Sequence, residues 1–337
     1  MKGLLSLVAV AAAMSAAAPA PAQDGAAAFR PVGTWTIDYG DDYCRLIRTF
    51  SDGQREFSLA LERLQPGAMV RLIVVGEVMR PLGRGPRHRA ADYIGYAFDP
   101  AGSSGQARYV LSETADGRSF VSLDPIVLAA PPTPDTPQTY DRAIEQEAAR
   151  GVTGFTLSEG LTSPVRVETG SLGEPIEALQ VCADNLLTAW GLDAEKHRTM
   201  TVPPIMNPNR NRVLPPGTIS YNKLRNLGGG TNQVRLMIAT DGKVTGCAIH
   251  SPSLPQSLNE RICNFATERA SFDPARDSAG QAMASVWIGS PLDLDPWPTI
   301  ASRDSGPGSS ATGPAFGLAS PPSSAVQTIW PGSAVVP

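Results

Sequence analysis

The sequence predicts an α+β protein of two domains. Residues 23–200 should form a β-rich N-terminal domain, a sandwich or barrel with a few helices, and residues 218–291 a small ββαβ C-terminal domain. Three observations predict this. Seven short segments between Phe29 and Leu128 are rich in β-branched and aromatic residues and are bounded by turn-forming residues. From Val234 onward a period-two alternation gives way to an apolar stripe at three-to-four-residue spacing, the change of period that separates strand from packed helix. Between the two, residues 201–217 carry Pro203, Pro204, Pro208, Pro215 and Pro216, a composition that favours an extended, semi-rigid linker.

Taken in order, the chain opens with Lys2, an apolar run from Leu4 to Ala13 and a small-residue stretch ending Ala20-Pro21-Ala22. A charged start, a short apolar centre and an A-x-A ending predict a cleavable secretory signal, residues 1–22, and hence a periplasmic or secreted protein without a stable membrane anchor. No later segment has 18 consecutive apolar residues. The predicted strands are Thr34–Tyr39, Cys44–Phe50, Glu56–Leu61, Met69–Val75, Tyr93–Phe98, Arg108–Leu111 and Ser119–Leu123. Ser51-Asp52-Gly53, Pro66-Gly67, Asp99-Pro100 and Asp116-Gly117 punctuate them as turns. After a Pro-rich break at 131–137, Tyr140–Arg150 reads as a short exposed helix with Asp141, Arg142 and Glu145 on its surface. Strands at Gly154–Leu157 and Val165–Glu168 lead to a helix over Pro175–Trp190, whose stripe is Ile176, Leu179, Cys182, Leu186 and Trp190, with Gly191 as its cap. Residues 292–337 are Ser, Gly, Pro and Ala-rich, have too few large apolar residues for a core, and are expected to be disordered.

The cysteines are four, an even number in a chain with an export signal, so disulfides are expected. Three pairings are possible. The domain division favours Cys44 with Cys182 and Cys247 with Cys263, each pair inside one domain.

The C-terminal residues also carry a family resemblance. Val234–Thr240 and Val244–His250 flank an Asp241-Gly242 turn, for which two positive-φ residues are expected. Ser251-Pro252-Ser253 follows as a bend, then the helical stripe Leu254, Leu258, Ile262, Phe265 and Ala266, an exit at Phe272-Asp273-Pro274-Ala275, a Gly280 turn and a third strand, Met283–Gly289. Ile219–Leu227 would be a short preceding helix. This order and spacing resembles the C-terminal domain of TonB, the periplasmic energy transducer. Secreted relatives of that domain often hold cysteines at the places of Cys247 and Cys263, and the resemblance implies a protein-binding sheet. An extended segment of a periplasmic or outer-membrane partner would add to its edge, along Met283, Ser285, Trp287 and Gly289 or along the opposite edge. The long spacer and apolar anchor of a force-transmitting TonB are missing from the sequence read here.

Other chemistry finds little support. Formal net charge is −4 with no basic cluster beyond Arg80–Arg89, which gives no reason to expect nucleic-acid binding. His88, His197 and His250 fall in different regions; His250 reads as solvent-facing, and Asp41-Asp42 as a solvated turn. Glu168-Thr169-Gly170-Ser171 resembles an aspartic-protease loop with Glu in place of Asp, and reads as a turn. No phosphate loop, dinucleotide fingerprint, metal-ligand spacing or cofactor motif is present, and no catalytic residue is assigned. The expected function is therefore non-catalytic binding or scaffolding in the envelope. The alternative is an envelope hydrolase with its site in the N-terminal domain.

Overall fold

The computed structural model describes residues 28–82, 93–100, 102–129, 140–207, 213–220 and 230–294, with Lys223 and Leu227. The expected signal, most of the 80–89 basic stretch, the break at 131–137, most of the helix expected over 219–227 and the tail beyond Leu294 lie outside the described residues.

Nine strands close a barrel, which resolves the choice between barrel and sandwich. They are β1 (Ala28–Tyr39), β2 (Cys44–Ser51), β3 (Glu56–Arg63), β4 (Met69–Val75), β5 (Tyr93–Asp99), β6 (Ser104–Glu113), β7 (Ser119–Val127), β8 (Gly154–Leu157) and β9 (Val165–Glu168). Their order around the wall is β1-β2-β3-β4-β7-β6-β5-β8-β9. All pairings are antiparallel except the closing one, where Ala28 and Phe29 of β1 run parallel to Arg166 and Val167 of β9. Closure removes the open edges that would otherwise invite pairing with other chains. Side chains alternate across the wall: Leu46, Leu61, Leu72 and Leu123 point inward with Phe29, Phe50 and Phe57, while Arg45, Glu62 and Arg71 point outward.

Two helices cover the barrel. Helix α2 (Gly173–Ala189) lays Ile176, Leu179, Cys182 and Leu186 on β1 and β2, and the Cys44–Cys182 disulfide ties it there. Gly191, at φ +77°, ends it as expected, with its amide on the Thr188 carbonyl and that of Leu192 on Leu187. Helix α1 (Arg142–Gly151) is capped by Asp141, whose carboxylate accepts from the amides of Ala143 and Ile144 at 2.8 and 3.2 Å. The expectation of an exposed Glu145 fails. Its carboxylate is buried and bonds Arg63 at 2.5 Å, Tyr140 at 2.7 Å and Gln180 at 2.8 Å, answering the buried cation at the end of β3.

The C-terminal unit begins before the expected boundary. Its elements are α3 (Ala194–Arg198), β10 (Met200–Val202), β11 (Ile205–Met206), β12 (Gln233–Ile238), β13 (Val244–His250), α4 (Gln256–Arg269), β14 (Phe272–Asp273), β15 (Ala275–Asp277), β16 (Ala282–Met283) and β17 (Ser285–Gly289). Strands β13-β12-β17 form one sheet. Helix α4 covers one face, where Leu258, Ile262 and Ala266 meet Val234, Leu236 and Ile238. The Cys247–Cys263 disulfide joins sheet to helix on that side. The start of the Pro-rich segment is extended but not free, since β10 pairs with β15 and β11 with β14, and further on the chain turns at Pro215, whose carbonyl accepts from the Thr218 amide.

Two local expectations are corrected. Only Gly242 of the Asp241-Gly242 turn has positive φ, and the amides of Gly242 and Ala239 bond Ala239 and Lys243 carbonyls respectively, so the loop is three residues with a bulge. The third strand is broken at Ala284: Met283 sits in β16, paired with Ala275 of β15, and β17 alone pairs with β12. With two disulfides the protein suits an oxidising, extracytoplasmic environment. Among the described residues no helix is long and apolar enough to cross a membrane.

Candidate functional site

The densest chemistry lies where the outer wall of the barrel meets the C-terminal sheet. Cross-strand register sets Asp38 of β1 beside Arg45 of β2, Arg45 beside Glu62 of β3, and Glu62 beside Arg71 of β4. Alternating signs on neighbouring strands are the favourable arrangement, since unlike charges directly opposite attract. Glu62, whose side chain has no exposed surface, accepts from Arg45 Nε at 2.9 Å and is paired with Arg71 on its other oxygen. Tyr43 donates to Asp38 at 3.1 Å, and the Arg45 guanidinium lies 4.1 Å from the centre of its ring.

The C-terminal unit completes this row with His250, the last residue of β13. Its Nδ1 lies 3.1 Å from Asp42 Oδ2 in the β1–β2 turn and its Nε2 3.2 Å from Glu62 Oε1. Ser251 Oγ is 2.9 Å from the same Nε2. Arg71 reaches across as well, donating to the Gly230 carbonyl at 2.6 Å and to Ser251 Oγ at 3.1 Å. Beside them Arg235 of β12 stacks 4.1 Å from the centre of the Trp190 ring, and Trp190 Nε1 donates to the Asp41 carbonyl at 3.0 Å.

These positions overturn two expectations. His250 is only 6% exposed rather than solvent-facing, and Asp42 is its half-buried partner rather than a solvated carboxylate. Neither is visible in the sequence, because His250 stands about 200 positions from Asp42 and 188 from Glu62. The spacing signal that did exist, polar residues alternating with apolar ones in β3, reads equally as an ordinary solvated outer wall, whereas β4 is apolar on both faces except at Arg71.

The electrostatics follow from the geometry. Burial alone would raise the carboxyl of Glu62, but the charges of Arg71, His250 and Arg45 overcome it and hold the group well below the usual range. For His250 burial opposes the charged form, yet the Glu62 charge and the hydrogen bonds to Asp42 and Glu62 leave the imidazole above its ordinary value. Burial raises Asp42 too, and the hydrogen bond and charge of His250 bring it below normal. On β7, Asp124 is pushed up to about 6 by burial.

Ser251, His250 and Asp42 stand in a line with the distances of a hydrolytic triad. The protonation works against that use. A general base must be unprotonated at its Nε2 to take the serine proton, whereas this nitrogen also faces a buried carboxylate that favours the imidazolium. The other histidine described, His197, is separate; burial lowers its imidazole while the Ala284 backbone pulls the other way. Glu168 is half-exposed and pairs with Arg30 at 3.3 Å, and Gly170 has φ +70°, as a turn requires. The barrel interior is filled: where Phe57, Val74, Met79, Phe155 and Val167 meet there is no room for water.

A second candidate is the edge of β17. One side of this strand pairs with β12, and among the described residues no strand pairs with the other. Ser285, Trp287 and Gly289 oppose Ile238, Leu236 and Val234, so they share the face under α4. Ser285 and Gly289 are buried, and Trp287 packs on Phe272 with ring centres 5.9 Å apart. Backbone groups, rather than these side chains, are what the edge can offer. Met283 is buried in the neighbouring sheet. No family model, curated protein or solved structure matches the chain.

Proposed function

We propose that this is a periplasmic or secreted, non-catalytic binding protein whose C-terminal unit is a TonB-like module that accepts an extended segment of an envelope protein at β17. The observation that carries the reading is the outer side of Ser285–Gly289, which pairs with no strand among the described residues, in a sheet with α4 on one face and the barrel at the other. An unpaired edge presents a row of N–H and C=O groups, and strand addition gives affinity through the main chain. A protein of the periplasm or outer membrane is the partner class; nucleic acid, metal and cofactor have no part in the reading.

The test is amide exchange on the mature protein titrated with extended peptides from the periplasmic segments of outer-membrane transporters. Selective protection of Ser285–Gly289 is expected. Protection confined to β13, or none at any peptide concentration that saturates a known TonB domain, would refute edge recognition. The hydrolase reading rests on the line Ser251–His250–Asp42. Covalent labelling of Ser251 by a fluorophosphonate probe, abolished in Ser251→Ala, would establish it instead.

A further inference from the structure

The described buried apolar residues form three clusters, one inside the barrel, one under α4 and a small one of Ala60, Ile73, Val75 and Phe120 on the outer wall, and the cluster under α4 shares no member with the other two. Contact between barrel and C-terminal sheet is carried instead by polar groups: Arg71 on Gly230 and Ser251, His250 on Asp42 and Glu62, Arg235 over Trp190. Where no apolar cluster of the described residues spans both sides, the fit of the charges to one another decides whether their desolvation is offset. His250 is the one group among these that changes charge near neutral pH.

We propose that the seam is a proton-operated clasp, in which the imidazolium of His250 fastens the C-terminal sheet to the barrel by bridging Asp42 and Glu62, and its deprotonation lets the sheet swing away. Doubly protonated, the ring donates Nδ1–H to Asp42 and Nε2–H toward Glu62, and each carboxylate keeps a counter-charge. Neutral, it retains one proton, so one of the two carboxylates loses its donor. The groups that face it are Asp42 and Tyr43 from the β1–β2 turn, Glu62 from β3 and Arg71 from β4. Ser251 flanks it on its own chain, and Arg235 of β12 lies near Asp42. Asp38 and Arg45 stand one step further along the row.

The sign is fixed by these partners. The clasped imidazole lies above its free value, so its contribution is complete below the free value and disappears as pH rises through the clasped one. Glu62 and Asp42 are shifted down, and their contribution is lost only in acid. Asp124, at about 6, ionises before His250 releases and gives a distinct, earlier step. Opening would uncover the sheet face that holds Arg235, Met237, Ala248 and Ile288, which share one side by register. A swing about the Trp190–Leu192 junction, where Gly191 ends α2, would also part Arg198 of α3 from Asp184 of α2, which stand 2.7 Å apart. The clasp stands independently of what binds β17.

Small-angle scattering of the mature full-length protein across neutral and mildly alkaline pH, with the His250 ring followed by NMR, tests this. The radius of gyration should rise with a midpoint that coincides with the His250 titration. Exchange protection of the β13 amides, corrected for base catalysis, should fall about tenfold for each unit by which the clasp lifts the imidazole. His250→Gln should be open throughout this range while both disulfide-bonded units keep their own thermal transitions, and His250→Lys should stay closed to higher pH. A flat radius while His250 titrates, or a His250→Gln protein as compact as the parent, would overturn the proposal. If His250→Gln fails to fold, Asp42→Asn must shift the opening midpoint to lower pH, and an unmoved midpoint counts against the clasp.

Discussion

Glu62→Gln is the sharpest test of the buried row. The substitution keeps shape and removes one charge. It leaves Arg45, Arg71 and His250 around a neutral amide in a site whose central side chain has no exposed surface. Breaking a buried ion pair by removing one partner costs roughly 3–5 kcal/mol, because the remaining charges lose compensation without regaining water. For a unit of this size each kcal/mol lowers the midpoint by about 2–4 °C, so the barrel transition should fall by roughly 6–20 °C. Differential scanning calorimetry at neutral pH reads the barrel and C-terminal transitions together. Because the carboxyl of Glu62 is depressed, its contribution is present above the ordinary carboxylate range and is lost only as pH falls through the lowered value. Parent and variant should therefore converge only in strong acid. A loss under about 1 kcal/mol would refute the reasoning, since that is the size expected of an exposed pair. Replacing Arg45, Glu62 and Arg71 together by apolar residues of similar volume should recover part of the loss, because the charges are then removed as a set.

Gly242→Ala should destabilise the C-terminal unit by more than about 1 kcal/mol in a chemical denaturation series, since φ is +81° and an added methyl would collide with the Phe272 carbonyl. Cys263→Ser opens a bond spanning 16 positions, for which chain entropy gives about 3 kcal/mol; calorimetry should show the C-terminal transition lowered and the barrel transition unmoved. Non-reducing peptide maps should show Cys44 linked to Cys182 and Cys247 to Cys263, with no crossed pair. By contrast Arg30→Ala should change stability by less than about 1 kcal/mol, as its pair with Glu168 is solvent-exposed.

Each barrel strand after β1 starts within a few residues of where the period-two pattern and turn residues place it, and both cysteine pairs follow from the division of the chain. Such features depend on neighbours in sequence or on parity along a strand. Which wall positions become buried does not. Arg45, Glu62 and Arg71 are charged positions on an outer wall, and their burial comes with Gly230, His250 and Ser251, which reach them from the C-terminal unit. The burial of Glu145 leaves no local mark for the same reason, its partner Arg63 lying 82 positions upstream on another element. The break at Ala284 that sends Met283 and Ser285 into different sheets carries no mark in composition, since both halves alternate alike.

The pairing of β10 with β15 and of β11 with β14 bears on where the C-terminal unit can be cut loose. A fragment beginning at Thr218, after the last of the clustered prolines, would leave behind two strands that cover β14 and β15 and the Lys196–Asp277 ion pair at 3.7 Å. Their backbone donors and acceptors would be handed to solvent or to a second copy. The portable piece of this chain therefore starts near Asp193, and recombination or gene fusion at the proline cluster would transplant an incomplete fold.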